Sequence, residues 1–432
     1  MKPNLRQDVV IIWYSVNRKG EFDVADNNTL HMVDASDGGN GFMKVQLNNP
    51  RFIFPSIMSD VLPGKELEAI DVNDIDNVKA TLANFIDKMD VKIQSPAIRD
   101  NGRYFVGPQA SISGTEPINY NVKSSEGKSE SDIGLICLFS IISYYALSKF
   151  FENYNYVPAN LNVVVDKFAT ALPIDEIKIK GVQQSYAKRF ADYHHQVTIN
   201  NFSTLVHVDL SFKKVFVDPE GVAAITGLIF DPERLNYRQG EIFDDLVEEY
   251  ALSDFTGEDI LKAGNVLIID IGDGTIDFAV TNKGIRVPNQ NRSILNGVGI
   301  SAENAIDALR QKYPVIAPMD RQTFIKIANK NQGPNDKESK VYKSFLDEQT
   351  SNLERQIIEQ VRDFHRALHG QIGMIVLCGG GANVLKNHFH DRFKGVIQNL
   401  FPFNAPYILW VRKKYAQTLN LDGLVVRAKV MK

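Results

Sequence analysis

Apolar and polar positions along the 432-residue chain fall into short runs dense in Val, Ile, Leu and Phe, separated by polar stretches and by segments of helical period. The runs predict strands at residues 9–15, 30–35, 42–47, 51–57, 103–107, 162–171, 206–217, 374–378 and 407–411, with a strand–turn–strand unit over 266–280. Helical spacing predicts helices at 75–89, 133–151 and 344–368, others starting at Val222, Ser301 and Asn383, and a helix-like segment at the end. A polar hairpin-like stretch at 17–20 and polar loops at 124–131 and 329–340 fall between them. An acidic helix is expected at 241–250.

The segment 133–151 is apolar enough to be mistaken for a membrane span. It carries Lys149, three Ser and two Tyr, where a span wants about 20 predominantly apolar residues. We read it as a helix buried in a large soluble core, N-capped by Ser129 or Ser131. The apolar run at the N-terminus is too short for a signal-peptide core.

Two strand–glycine turn–strand units lie about 230 residues apart, which is too long a repeat for a solenoid and suggests two similar halves facing one another. The first turn reads Asp37-x-Gly39-Asn40-Gly41-x-x-Lys44, and the second Asp270-x-Gly272-Asp273-Gly274-Thr275-x-Asp277. Alternate glycines let a backbone bend tightly and bring N–H groups close to an anion. A carboxylate at the strand end can hold the hydrated Mg2+ that accompanies phosphate, and a lysine adds a point charge. One such turn alone is compatible with an ordinary hairpin; two with a matching aspartate argue for phosphate. A third element, Gly379-Gly380-Gly381 between a strand and a helix, leaves bare backbone for a ligand or serves as a tight turn. Neither a Gly-x-x-x-x-Gly-Lys-Ser/Thr loop nor a dinucleotide fingerprint is present, so nucleotide binding needs another architecture.

Composition narrows the classes. At 44% hydrophobic and 23% charged residues, the chain is neither disordered nor collagenous nor a coiled-coil rod, and its length suggests two to four domains. Forty-eight basic against 52 acidic side chains give a net charge of −4, which argues against a broad grip on a bare DNA backbone. Two cysteines, Cys137 and Cys378, sit in apolar runs and read as buried thiols of a reducing cytoplasm. His365 with His369, His388 with His390 and His194 with His195 look pair-like, but no acid or thiol completes a tetrahedral metal set, so surface or capping roles are expected.

Two phosphate hairpins, a connecting segment and a Gly-Gly-Gly adenosine loop, in that order, resemble the actin/Hsp70/sugar-kinase superfamily. In detail the chain is similar to the bacterial actin-like, ParM-like plasmid-segregation proteins. Phe54-Pro55-Ser56, Tyr104-Phe105-Val106-Gly107 with Ala110, Leu172-Pro173-Ile174, Val217-x-Pro219-Glu220 with Ala223, and Asn420-x-x-Gly423 carry that likeness over residues 30–425. Two features depart from it: residues 1–29 precede the first hairpin, and 230–264 reads as an insertion. Both are read as filament or partner surfaces, or as surface decoration.

The resemblance implies an α/β, actin-like fold of two similar halves, each a mixed β-sheet flanked by helices, with nucleotide in the cleft between them. The halves would be 1–222 with 404–432 (small subdomain 51–128) and 265–403 (small subdomain 306–369), joined by 223–264. By position, Asp37 and Asp270 would hold Mg2+ through its waters, and the backbone of Gly39, Asn40, Gly41, Gly272, Asp273, Gly274 and Thr275 would cradle phosphates with Lys44. Asp277 closes the second turn, Glu220 would orient the attacking water, Gly379–Gly381 would pack on the nucleoside and Glu303 would reach the ribose. The implied activity is an ATPase, with ATP or GTP as nucleotide, that assembles into cytomotive filaments in a bacterial, plasmid-bearing cytoplasm. Its partners would be other copies of itself and a small, ParR-like DNA-binding adaptor on a centromere-like DNA site, without bare DNA or membrane. A small-molecule kinase, with Asp34 or Asp273 as its acid, and a non-polymerising scaffold ATPase are the alternatives. A chaperone of the superfamily would need a substrate-binding module beyond the adenosine loop, for which the remaining residues leave no room.

Overall fold

The computed structural model describes residues 29–120, 127–317, 319–330 and 336–431. The strand expected at 9–15 and the stretch at 17–20 lie outside them, as do parts of the loops at 124–131 and 329–340.

Ten strands form one sheet: β1 (Thr29–Gly38), β2 (Phe42–Leu47), β3 (Arg51–Pro55), β4 (Ile57–Asp60), β5 (Met89–Gln94), β6 (Gly102–Val106), β7 (Ile118–Asn119), β8 (Asn160–Leu172), β9 (His195–Ile199) and β10 (Val206–Pro219). Five form the other: β11 (Asn265–Ile271), β12 (Ile276–Asn282), β13 (Ile285–Ile294), β14 (Met374–Cys378) and β15 (Tyr407–Trp410). The first runs β3-β2-β1-β8-β10-β9-β5-β6-β4-β7 and the second β13-β12-β11-β14-β15. The second order repeats the first five positions of the first. In both, the hairpin strands pair antiparallel and the next two join in parallel. The weak repeat of two Asp–Gly turns is therefore a duplication of a whole half-sheet.

The duplicated registers align the chemistry. Asp37 pairs across its hairpin with Lys44, and Asp270 pairs across the second with Asp277. Lys44 and Asp277 thus hold equivalent places with opposite charge.

The central strands β11 and β14 of the second sheet are buried on both faces and read as continuous apolar runs, whereas β1, β8 and β10 of the first alternate buried with partly exposed residues over much of their length. In the first half the Ile133–Tyr154 helix fills the core, with 17 of its 22 residues buried. It is long and apolar enough to cross a membrane by length and composition, and 89% of its most apolar window is buried inside the protein. Neither Ser129 nor Ser131 caps it. The cap position is Asp132, whose carboxylate instead accepts from the Arg99 backbone N–H at 2.9 Å and pairs with Arg189.

On the second sheet, Leu267, Ile269, Ile375 and Leu377 face a core made with the Val298–Lys312, Lys337–Ala367 and Gly380–Leu400 helices. Val266, Ile268, Met374 and Val376 face the other way, against Ile242, Phe243, Leu246, Phe255 and Ile260 of the 230–264 segment. That segment is no surface decoration; it supplies one face of the second core. Its acidic helix is shorter than expected, Asp244–Glu249, and a second helix, Gly257–Lys262, follows behind a Thr256/Asp259 capping box.

Other expectations shift. The helix at 75–89 stops at Ala83 and a 3-10 turn leads into β5 at Met89, where Met89, Val91 and Ile93 are buried and Lys92 exposed. Helices expected from Ser301, 344 and Asn383 begin at Val298, Lys337 and Gly380. Asp336 sets the second of these by accepting from Ser339 N–H at 3.0 Å. β9, β13 and the Val182–Ala191 helix were not foreseen; that helix buries only Tyr186 and Phe190. The boundary drawn at 404 also moves: β15 pairs with β14 in the second sheet, and only the Leu419–Val430 helix packs back on the first half.

The halves meet where the Val222–Ile229 helix crosses the Leu419–Val430 helix. A Cβ on Gly423 would lie 1.8 Å from the Ala223 carbonyl oxygen, and one on Gly227 would lie 2.5 Å from that of Leu419. Only glycines let the two backbones touch.

Candidate active site

Both Asp–Gly hairpins and the triglycine turn open onto one cleft of about 900 Å³ between the sheets. Asp37, Gly39, Asn40, Gly41, Lys44, Glu220, Asp270, Gly272, Asp273, Gly274, Thr275, Asp277, Gly379, Gly380 and Gly381 all line it. Glu303 does not. It sits on the Val298–Lys312 helix and pairs with Arg321 at 2.8 Å, and Arg321 also pairs with Asp273 at 2.7 Å. The ribose role drawn for Glu303 has no support in this geometry.

The first turn is held from below. Ser56 donates its hydroxyl to the Gly39 carbonyl at 2.7 Å and its N–H to that of Gly41 at 3.1 Å. A Cβ on Gly39 would stand 2.8 Å from the Phe42 carbonyl oxygen. The second turn closes with Gly272 N–H donating to Thr275 O at 2.9 Å, and Val298 N–H and Gly299 N–H bind the Gly272 and Asp273 carbonyls. Gly379 has φ +87°, and a Cβ there would lie 2.4 Å from both Asp270 Oδ1 and the Ile271 carbonyl oxygen. The triglycine turn is thus packed on the Asp270 strand end. Gly379 N–H donates to Ala416 O at 2.9 Å.

Carboxylates crowd the floor. Lys44 Nζ donates to Asp37 Oδ2 at 2.7 Å, and Asn420 Nδ2 to Asp270 Oδ2 at 2.6 Å. Asn420 also accepts from Gly221 N–H at 3.2 Å, joining the end of β10, the last helix and the second hairpin. Asp277 accepts from Thr275 Oγ1 at 2.9 Å and Ser293 Oγ at 2.5 Å. Burial, then the neighbouring Glu220 and Asp37 carboxylates, push the Asp270 carboxyl up to about 6. Burial also pushes Asp277 up to about 6, against its two hydroxyl donors and with Asp270 adding to the rise.

Glu220, at the end of β10, faces Lys128, whose Nζ donates to its Oε1 at 2.7 Å. Burial raises the Glu220 carboxyl above its usual range against Lys128, with Asp277 and Asp37 raising it further. Burial pulls the Lys128 ammonium towards neutrality, but Glu220 and then Asp37 and Asp277 more than offset this and keep it charged. Glu176 fixes the lysine's loop by accepting from Lys128 N–H at 2.8 Å and Ser129 N–H at 2.9 Å.

Sequence reasoning missed Lys128, and it marked Asn420 without giving it a role. It also missed the polar rim of Lys326, Asn329, Lys330, Asn383, Lys386 and Arg412. Asp34, an alternative acid for a kinase, does not line the cleft; it is buried and accepts from Asn48 N–H at 3.1 Å. The histidines have ordinary places with one exception: His195 is neither surface nor cap but core, bonded to Ser95 Oγ at 2.7 Å and the Phe190 carbonyl at 3.1 Å. Among the described residues no three His, Cys, Asp or Glu side chains converge to ligate a metal directly. The floor still suits a hydrated divalent cation, because the Asp270 and Asp277 carboxyls, raised by burial and then by neighbouring acids, gain from a positive neighbour.

The model of the archaeal actin homologue MreB-like C-terminal domain matches residues 268–391. No curated protein matches the chain by sequence. Among solved structures it is similar to actin-like protein Alp7A, with a TM-score of 0.63 and 15% identity over 93% of this chain and 96% of that one. It is also similar to ParM from a 15-stranded Clostridium botulinum filament, at 0.57 and 19% over 94% and 100%. Bacillus thuringiensis ParM with AMPPNP aligns at 0.55 and 14% over 94% and 99%. The chain has the actin-like fold: two α/β halves, each built on the same five-strand order, around a cleft.

Proposed function

We propose that this protein is a nucleotide-dependent, polymerising actin-like ATPase whose filaments segregate plasmid DNA through a small DNA-binding adaptor. The observation that carries the reading is the convergence of both Asp–Gly hairpins, the triglycine turn and the Lys128–Glu220 pair on one cleft. The solved ParM structures with ADP and AMPPNP and the ParM filament support it by likeness of fold.

In this reading the two glycine turns cradle the β- and γ-phosphates of ATP or GTP with backbone N–H groups, and Lys44 adds charge. Asp37 and Asp270 would hold Mg2+ through water, and the ion would supply positive charge against the phosphates. Glu220 orients the attacking water. Lys128 holds the Glu220 carboxylate in place and opposes the burial that favours its protonated form. Positioning of this kind is most of what phosphoryl transfer asks of a protein. The nucleotide contacts both halves and so favours their closed arrangement, and loss of the γ-phosphate contacts relaxes it. Subunits stacked end to end sense that angle.

The test is a light-scattering time course after a limiting pulse of ATP with Mg2+, checked by electron microscopy. Filaments should appear with ATP and disappear as it is hydrolysed. Equal polymer with ADP, or none with any nucleotide, overturns the filament reading. Bare DNA should not bind tightly at physiological salt.

A further inference from the structure

The 230–264 segment reaches the cleft rim through carboxylates, chiefly that of Asp245. Asp245 sits on the Asp244–Glu249 helix, outside both half-sheets. Its Oδ1 accepts from Arg412 Nε at 2.7 Å and its Oδ2 from Lys386 Nζ at 3.0 Å. Asp244 adds a second contact to Arg412 Nη1 at 3.1 Å. Arg412 and Lys386 both line the cleft, and Asp245 does not.

These two cations are carried by the two elements that flank the triglycine turn. Lys386 lies six residues beyond Gly380 on the Gly380–Leu400 helix, about 9 Å along its axis. Arg412 precedes the short Lys413–Ala416 helix, whose Ala416 carbonyl holds Gly379. Free of a partner, two long side chains on this rim would sample many rotamers; a shared carboxylate orders both. The segment that brings the carboxylate is itself anchored. Arg238, 7% exposed, donates to the Gly227 carbonyl and to Asp422 Oδ2, each at 2.6 Å, at the crossing of the two connecting helices.

We propose that Asp245 is a positioning residue for the nucleoside end of the cleft, fixing Arg412 and Lys386 against the base and ribose of a bound nucleotide. This rests on the nucleotide reading above. The carboxylate touches no ligand itself; it acts through the two cations.

The experiment compares the affinity of the full-length protein for ATP and for inorganic tripolyphosphate, each with Mg2+, by titration calorimetry. Asp245→Ala should weaken ATP about tenfold and leave tripolyphosphate within about twofold, the loss expected when charged hydrogen bonds to the nucleoside become disordered. Arg412→Met should reproduce the effect, the double variant should lose little more than either single one, and Asp245→Glu should recover most of the ATP affinity. Should Asp245→Ala fail to fold, Lys386→Met carries the same comparison from the other side of the pair. Unchanged ATP affinity, or an equal loss for tripolyphosphate, overturns the proposal while leaving nucleotide binding intact. A wild-type protein that binds neither probe overturns the nucleotide reading, and this proposal with it.

Discussion

The Lys128 ammonium lies 2.7 Å from Glu220 Oε1, with both side chains nearly buried. The acid that would orient water is therefore tied to a cation 92 residues away, from a loop that Glu176 clamps by its backbone. Lys128 opposes the burial that raises Glu220, so removing it should raise that carboxyl further. Lys128→Met should move the acid limb of the pH–rate profile for nucleotide hydrolysis to higher pH by about a unit or more. A stopped assay from pH 5.5 to 9 checks this. An unmoved profile would mean that Glu220 ionisation does not govern the rate.

Glu220→Ala should keep nucleotide binding and assembly while slowing hydrolysis by ~10²–10⁴, the usual loss when a proton-transfer or water-orienting group is removed. Its filaments should outlive those of the wild type in the same ATP pulse. Loss of nucleotide binding in a well-folded variant would make Glu220 a structural residue instead.

Asp270 has its carboxyl raised from 3.8 to about 6 by burial and then by Glu220 and Asp37. For an acid raised on folding, the cost to stability is absent below the unfolded value, grows as pH rises and is complete above the folded one. A shift of this size is worth about 3 kcal/mol. Asp270→Asn should therefore make the nucleotide-free protein more stable to urea at pH 8, by up to that amount, with the gain shrinking as pH falls towards 4. The same change should abolish Mg2+-dependent hydrolysis. A variant less stable at pH 8 would show that the ionised carboxylate makes a net favourable contact in the empty cleft.

Gly379→Ala meets two obstacles: φ of +87° and a Cβ 2.4 Å from both Asp270 Oδ1 and the Ile271 carbonyl oxygen. We expect a loss of about 1–3 kcal/mol in stability and a larger relative loss of nucleotide affinity, because the turn that moves is the one packed on Asp270. Thermal melts with and without ATP measure both. An unchanged ATP-induced rise in Tm would separate this turn from the ligand.

Gly423→Ala puts a Cβ 1.8 Å from the Ala223 carbonyl oxygen, which is backbone and cannot swing away. The Val222–Ile229 and Leu419–Val430 helices must separate, at a cost of about 1–3 kcal/mol or more. Because these helices join the halves, ATP-gated assembly should suffer beyond what the lost stability explains. Wild-type assembly at a temperature where the variant is fully folded would show that the crossing does not set the angle.

Much of the site was legible because its signals are local. The Asp–Gly turns are written in five to eight consecutive residues, and hairpin register then forces Asp37 opposite Lys44 and Asp270 opposite Asp277. The triglycine was legible because no other residue tolerates its φ and its contact with the Asp270 strand end. Glu303 is the expected site residue that does not line the cleft: a helical carboxylate near a glycine turn has the right position along the chain, but here Arg321 holds it at 2.8 Å. The 230–264 segment misled because an acidic helix looks solvent-facing; Phe243 and Leu246, between its acids, are buried in the second core. β13 was missed because its sequence is polar, with little of the alternation that marks a half-buried strand.

The sequence by itself determined where most of the strands run, where the backbone must turn on glycine, and that the turns come in two copies. Each of these follows from side-chain period or Cβ sterics over a few residues. Only the tertiary structure decided which polar groups meet: Lys128 with Glu220, Asn420 with Asp270 across 150 residues, and Arg412 with Asp245 across 167. Such pairs leave no local trace, because a carboxylate's partner is set by the crossing of helices and the closure of two half-sheets, not by the residues beside it in the chain.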